Sequence, residues 1–373
     1  MRILFTGPAS PGHLFPLVPF AQALRAAGHD VLFAGQRPMD PLLTSGFPTV
    51  EIGDGRDMRE LFVDFRGGQP MTYGSDAMTH DERMDMAAGA FAHAARPSFD
   101  GLLATAADWG ADLLVHAAFQ AVAPLVAAKL KIPLVMQNYG IPSGRDTNAR
   151  FLPKLADLYE QHGVAGPVES TVLNLGPLGG DPEGLRARYI PYNGTGSIPA
   201  EFLRPAERRR VLVTLGSVVV GINGVGGVSR LIEAADQVDA EFLLAVGDAD
   251  LTALGALPAN VRPVPWIPLA ALVRHSDAVV HHGGAGTTLT TLDAGLPQLV
   301  LPQGADNFMV ADALVEAGIG LRSSSAEVDA AVLDRLLNDP AVRAAAEDVR
   351  ATNTALPSPA ELVPALEDIA ARR

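Results

Sequence analysis

Short apolar runs alternate along this chain with helix-length amphipathic stretches. Ile3-Leu4-Phe5 reads as a buried strand, Gly7 to Gly12 as a loop, and Leu14 to Ala27 as a helix with Leu17, Phe20, Ala21 and Leu24 on one face. Gly28 caps that helix, and Val31-Leu32-Phe33-Ala34 forms the next strand. This strand–helix–strand spacing predicts parallel pairing. The alternation recurs with strand Asp112-Leu113-Leu114-Val115, helix Ala121 to Leu130 and strand Pro133-Leu134-Val135-Met136. Between the two blocks, Glu51 to Arg96 is polar, rich in methionine and glycine, and weakly periodic, the character of an inserted pocket wall or lid. Around Tyr189 to Pro205 the pattern stops, and Pro191, Asn193, Gly194, Gly196, Pro199 and Pro205 mark a linker. It restarts with strand Val211-Leu212-Val213, helix Val228 to Asp236, and strands Phe242 to Val246, Val261 to Val264, Ala278 to Val280 and Leu299 to Leu301. The tail from Pro359 to Ala371 is helical, with Leu362, Leu366 and Ile369 on one face. The pattern predicts an α/β protein of two similar domains, 1–200 and 201–373, with parallel sheets facing across a cleft. Ligands of such sheets bind beyond the carboxyl ends of the strands.

A length of 373 residues suits two domains. Aromatic residues make up only 6% of the chain while alanine, valine, leucine and glycine dominate, which suits layered helix-on-sheet packing. The formal net charge of −14 argues against nucleic acid and anionic membrane surfaces as partners. With no cysteine there is no disulfide framework, thiolate metal site or cysteine nucleophile. The first apolar stretch is too short for a secretory core, and the uncharged stretch Val211 to Ser229 is broken by glycines. A soluble, cytoplasmic protein that is monomeric or homodimeric is expected.

The densest chemistry lies in His281-His282-Gly283-Gly284-Ala285-Gly286-Thr287-Thr288, between a strand and a helix-like stretch from Leu289 to Ala294. A glycine-rich turn there presents backbone N–H groups at a positive helix end, a geometry that binds phosphate without lysine. The two threonine hydroxyls and His282 add side-chain donors. Adjacent strand-end residues point to opposite sides, so one histidine packs against the sheet and the other faces the ligand, and the pair makes a poor metal site. Gly7 to His13 has Walker-like glycine spacing, but His13 stands where the lysine belongs, and no G-x-G-x-x-G follows the first strand. At a strand-end loop, His13 suits a general base or a helix-start hydrogen bond equally. Asp248-Ala249-Asp250 reads as turn carboxylates, and Ser217 as either a turn residue or a phosphate contact. Trp266 would pack in the core or stack on a base. Asp306-Asn307 would bind vicinal sugar hydroxyls, or Asp306 would cap the helix from Phe308.

Gly12-His13 with Pro16, Thr214-Leu215-Gly216-Ser217, Trp266-Ile267-Pro268, His282 to Thr287 and Pro302-Gln303-x-x-Asp306-Asn307 occur in one order and spacing. Over nearly the whole chain they resemble the GT-B nucleotide-sugar glycosyltransferases of the actinobacterial antibiotic type. Pro191-Tyr192-Asn193-Gly194 is similar to the segment before the linker in enzymes that glycosylate aromatic polyketides with TDP-deoxysugars. The resemblance implies two Rossmann-like domains, the nucleotide in the second, and a terminal helix that packs back on the first. Trp266 would stack on the base and the Ile267 backbone pair with its edge. Ser217, His282, Gly284, Gly286 and Thr287 would hold the diphosphate, Asp306 and Asn307 the sugar, and Gly12 and Ala285 would also contact the nucleotide sugar. The family mostly has glutamine at the Asn307 position, and the shorter amide would shift sugar preference. His13 would deprotonate the acceptor, giving inversion without a metal or any cofactor beyond the TDP-sugar cosubstrate. Family members often carry an aspartate partner for that histidine after the strand at Leu113-Leu114-Val115, where this chain has His116-Ala117-Ala118. Asp146, read as lying in a loop, is the substitute at hand. An acidic phenol needs less help, and O- and C-transfer remain open. A nucleotide-sugar epimerase and a non-catalytic nucleotide-sugar-binding auxiliary protein are the rivals. The acceptor pocket would be lined by the Glu51 to Arg96 insertion and the Gln137 to Arg150 loop.

Overall fold

Seven strands form the first sheet: β1 (Arg2–Thr6), β2 (Asp30–Gly35), β3 (Thr49–Glu51), β4 (Leu113–Ala117), β5 (Leu134–Asn138), β6 (Thr171–Leu175) and β7 (Leu185–Ala187). Their order is β3-β2-β1-β4-β5-β6-β7, and every neighbouring pair is parallel. Ile3, Leu4 and Phe5 of β1 and Leu113 and Leu114 of β4 are fully buried. Unbroken apolar runs of this kind belong to strands covered by helices on both faces. The second sheet contains β8 (Arg210–Thr214), β9 (Glu241–Leu244), β10 (Val261–Pro263), β11 (Ala278–His281), β12 (Gln298–Val300) and β13 (Gly320–Arg322). Its order, β10-β9-β8-β11-β12-β13, is again wholly parallel. Counted within its own sheet, each reads 3-2-1-4-5-6, with a seventh strand added to the first. The order reverses between β1 and β4, and between β8 and β11, which opens a crevice at those carboxyl ends.

The computed structural model describes residues 1–69, 78–138, 140–141, 144–204, 206–216, 225–247, 249–304 and 306–372. The chain divides into two compact units. One holds the described residues of Met1–Met71 and Met78–Gly194 together with Leu356–Arg373, and the other holds those of Thr195–Ala355. In the second unit, Val211, Val213, Phe242, Leu244, Val280 and Leu299 pack on one side of the sheet, and Leu212, Leu243 and Val279 pack with Phe202 and Leu272 on the other. No helix among the described residues is long and apolar enough to cross a membrane.

Three local expectations change. The helix read over Leu14 to Ala27 is split into Pro11–Leu14, a 3-10 turn Phe15–Leu17, and Val18–Ala26. Pro16 and Pro19 each lack the N–H that an unbroken helix requires, and both sit where a new segment begins. The insertion is helical, with Met58–Phe65 and His80–Ala95 each opened by a capping box, Asp57 with Glu60 and Thr79 with Glu82. The second helix is nearly even in polarity around its circumference, so its periodicity is faint although its start is well signalled. Finally, helix Gly144–Phe151 occupies much of the segment read as a loop from Gln137 to Arg150.

The tail forms helix Val363–Ala370, with Val363, Leu366, Ile369 and Ala370 buried. It belongs to the first unit. There the Arg188 N–H donates to the Pro357 carbonyl at 2.8 Å, and His29 Nε2 meets Glu367 Oε1 at 3.0 Å.

Candidate functional site

In the second unit, β11 ends at His281, in register with Thr214 of β8 and Val300 of β12. His281 is buried, and the Gly283 N–H donates to its Nδ1 at 3.0 Å. The ring proton therefore sits on Nε2, which donates to Gln298 Oε1 at 2.9 Å. Burial pushes the pKa of His281 down to about 4. This is the histidine packed against the sheet. His282 is half-buried and lies in a slot between two glycines. A Cβ on Gly216 would stand 2.7 Å from its Cε1, and one on Gly284 would stand 2.4 Å from its Nε2. Burial, and secondarily the neighbouring His281, push its pKa down to about 3, so the ring is neutral at physiological pH. Its Nδ1 is buried with no partner among the described residues.

Gly283 adopts φ +97°, open only to glycine, and a Cβ there would meet Val300 Cγ1 at 3.0 Å and Asn307 Cβ at 3.1 Å. Gly284 is the N-cap of helix Ala285–Ala294, and no side chain caps it. Ala285, Gly286 and Thr287 form the first turn, the positive end of a ten-residue helix. Thr287 is buried there. The Thr288 hydroxyl, expected as a ligand donor, donates instead to the Gly284 carbonyl at 3.0 Å. Its proton is spent on its own helix.

Beyond β12, Asp306 stands at the N-cap of helix Asn307–Glu316, yet its side chain makes no capping bond. Its backbone is already helical, φ −83° and ψ −5°, whereas a capping side chain needs an extended residue to turn back from. Burial raises its pKa to about 6. Asn307 is buried, and the two carbonyls facing its side chain, His282 at 3.2 Å and Gly304 at 3.1 Å, assign the amide orientation that turns its nitrogen toward them. Trp266 is 52% exposed rather than packed in the core, and its Nε1 donates to the Thr195 carbonyl at 3.3 Å. Ile267 is buried beside it. Ser217 and Asp248 lie outside the described residues. Asp250 accepts from the Thr252 N–H at 2.9 Å, the turn role expected of it.

In the first unit, Gly12 and His13 lie in helix Pro11–Leu14, and a Cβ on Gly12 would meet open space. The half-buried His13 ring packs edge-on against Phe91 at 5.2 Å and Phe119 at 5.6 Å between centroids. Phe62 packs on Phe91 at 5.1 Å, and Phe151 on Phe119 at 6.2 Å. These surroundings push the pKa of His13 down to about 3 by desolvation. His116, at the strand end where the resemblance implies an aspartate, is buried and donates from Nδ1 to the Ala117 carbonyl at 2.9 Å. Asp146 is exposed on helix Gly144–Phe151, not in a loop. Among the described residues no cluster of three or more histidines and carboxylates has the geometry of a metal site.

Two family models cover most of the chain. The N-terminal domain of "Erythromycin biosynthesis protein CIII-like" proteins matches residues 22–216, and their C-terminal domain matches residues 229–369. The chain belongs to this family of antibiotic glycosyltransferases. This CIII-like enzyme is 35% identical to the elloramycin glycosyltransferase ElmGT of Streptomyces olivaceus, over 97% of its own length and 96% of the relative's. Among solved structures it is similar to the glycosyltransferase SnogD from Streptomyces nogalater, with a TM-score of 0.86, 38% identity and 99% of each chain covered. It is also similar to the Streptomyces sp. SF2575 glycosyltransferase SsfS6 complexed with thymidine diphosphate, with a TM-score of 0.84, 29% identity and 99% of each chain covered. The fold is thus GT-B.

Two parts of the CIII-like enzyme's candidate site are not announced by sequence motifs. The phenylalanines around His13 come from segments far apart in sequence, so no local spacing announces them. Gln298, which holds the His281 tautomer, resembles any strand residue. The slot for His282 did have a signal, since Gly216 and Gly284 each lie within a strand-to-turn motif.

Proposed function

We propose that this enzyme transfers a sugar, in particular a deoxysugar, from a TDP-sugar to an aromatic polyketide phenol, with inversion and without a metal ion. The observation that carries the reading is the uncapped start of helix Ala285–Ala294 beside the His282 ring, at the carboxyl end of β11. Backbone amides and a helix dipole suit a diphosphate and stabilise the charge it gains as it leaves. The exposed Trp266 ring offers a stacking face for the base, beside the Ile267 backbone. Thymidine diphosphate in the similar SsfS6 supports TDP as the nucleotide.

In this mechanism His13 accepts the proton of the acceptor hydroxyl. The oxygen forms a bond to the anomeric carbon from the face opposite the diphosphate. The carbon–oxygen bond to the diphosphate breaks, and its electron pair leaves with TDP. In C-transfer the phenolate attacks through a ring carbon, whose proton is then lost to solvent while His13 returns its own proton to the oxygen, restoring the aromatic phenol. A neutral His13 in an aromatic surround is a weak base, and that favours an acidic phenol over an aliphatic alcohol. The aromatic rings also suit a flat acceptor.

Calorimetric titration with TDP, UDP and NADH in the presence of a chelator tests the donor assignment. Selective binding of TDP is expected. A preference for UDP would change the donor, and binding of NADH alone would overturn the reading.

A further inference from the structure

The loops after β11 and β12 are tied together by one side chain. Asn307 is 6% exposed, and its amide nitrogen faces carbonyls on two separate segments, His282 at 3.2 Å and Gly304 at 3.1 Å. An amide that spends its N–H groups on protein carbonyls has no donor left for a sugar oxygen and keeps only its Oδ1 as an acceptor. The approach is close: a Cβ on Gly283 would stand 3.1 Å from both the Cβ and the carbonyl oxygen of Asn307. Only a glycine at that point of the turn lets helix Asn307–Glu316 begin against it. Asp306, one residue earlier, makes no capping bond and takes no part in this tie.

We infer that Asn307 is a positioning residue whose N–H groups lock the diphosphate turn to the loop after β12, a tie in which Asp306 takes no part. The inference rests on the TDP-sugar reading above. Its consequence is specific: the diphosphate turn is held through the His282 carbonyl, so a change at Asn307 reaches a ligand that has no sugar.

The test is the affinity of the full-length protein for TDP alone, measured by calorimetry on wild type, N307A, N307D and D306A, with thermal melts to verify folding. N307A is expected to bind TDP about tenfold more weakly, because two buried carbonyls lose their donor. N307D is expected to bind more weakly still, since its carboxylate would face two carbonyl oxygens. D306A should bind within about twofold of wild type, the scatter of substitutions that remove no structural contact. If N307D does not fold, the smaller N307A carries the test. Wild-type TDP affinity in folded N307A overturns the inference, as does equal loss in N307A and D306A. Failure of the wild type to bind TDP would instead sink the donor reading, and the two failures are told apart by that one control.

Discussion

Beyond β1 and β4 the chain sets a histidine among phenylalanines; beyond β8 and β11 it sets a histidine among glycines. The two sheets share strand order, parallel pairing and apolar strands. Burial pushes His13 and His282 alike down to about 3. The surroundings nevertheless suit opposite ligands. Rings around His13 offer apolar area, and the turn at His282 offers amide dipoles at the start of a helix. A doubly wound sheet thus fixes where a ligand sits, while the few residues after each strand decide what kind of ligand it is.

The contrast can be broken from either side. His13→Ala should cut turnover by about a hundredfold or more while TDP affinity stays unchanged. Equal losses in kcat and in TDP binding would erase the division between the two units. Gly284→Ala should strip donor binding by about tenfold or more, because its Cβ lands on the His282 ring, and overpacking of this kind costs about 1–3 kcal/mol. The backbone there, φ −65°, accepts alanine, so an unperturbed variant would mean that the slot does not aim the ring. Trp266→Ala should weaken TDP binding about twofold to tenfold with little change in Tm, as stacking contributes about 0.5–1.5 kcal/mol. A large drop in Tm would mark it as a packing residue after all.

The smallest effect lies in the pH profile. His13 is held neutral until about pH 3, so it contributes no acid limb to kcat/KM between pH 8 and 5. Asp306, raised to about 6 by burial, loses its charge as pH falls through that value. Activity of the wild type should therefore decline on acidification near pH 6, and D306N should be flat over the same range. An inflection near 6.5 surviving in D306N would show His13 titrating as an ordinary, solvated imidazole.

The central strands were legible because a strand covered on both faces needs an unbroken apolar run, and little else in a chain looks like Val211-Leu212-Val213. The phosphate-type turn was legible because two of its glycines are required, Gly283 by its backbone at φ +97° and Gly284 by the His282 ring packed against it. Side-chain roles were harder to read. Thr288 and Asn307 both look like ligand groups by type, but each is engaged by a backbone carbonyl that only the fold brings near. Asp306 sits where a cap belongs, and its backbone angles deny it that role. Helix His80–Ala95 escaped notice because its buried face is built mostly of alanine, which contributes little to an apolar pattern.

The first unit is discontinuous: its last helix, Val363–Ala370, follows the whole of Thr195–Ala355 in the chain. During synthesis, Arg188 and His29 must therefore wait for Pro357 and Glu367 until the second unit has left the ribosome. The unit whose sheet is made earliest is completed last, and a released chain ending at Ala355 would hold the whole of the second unit and a first unit without its last helix.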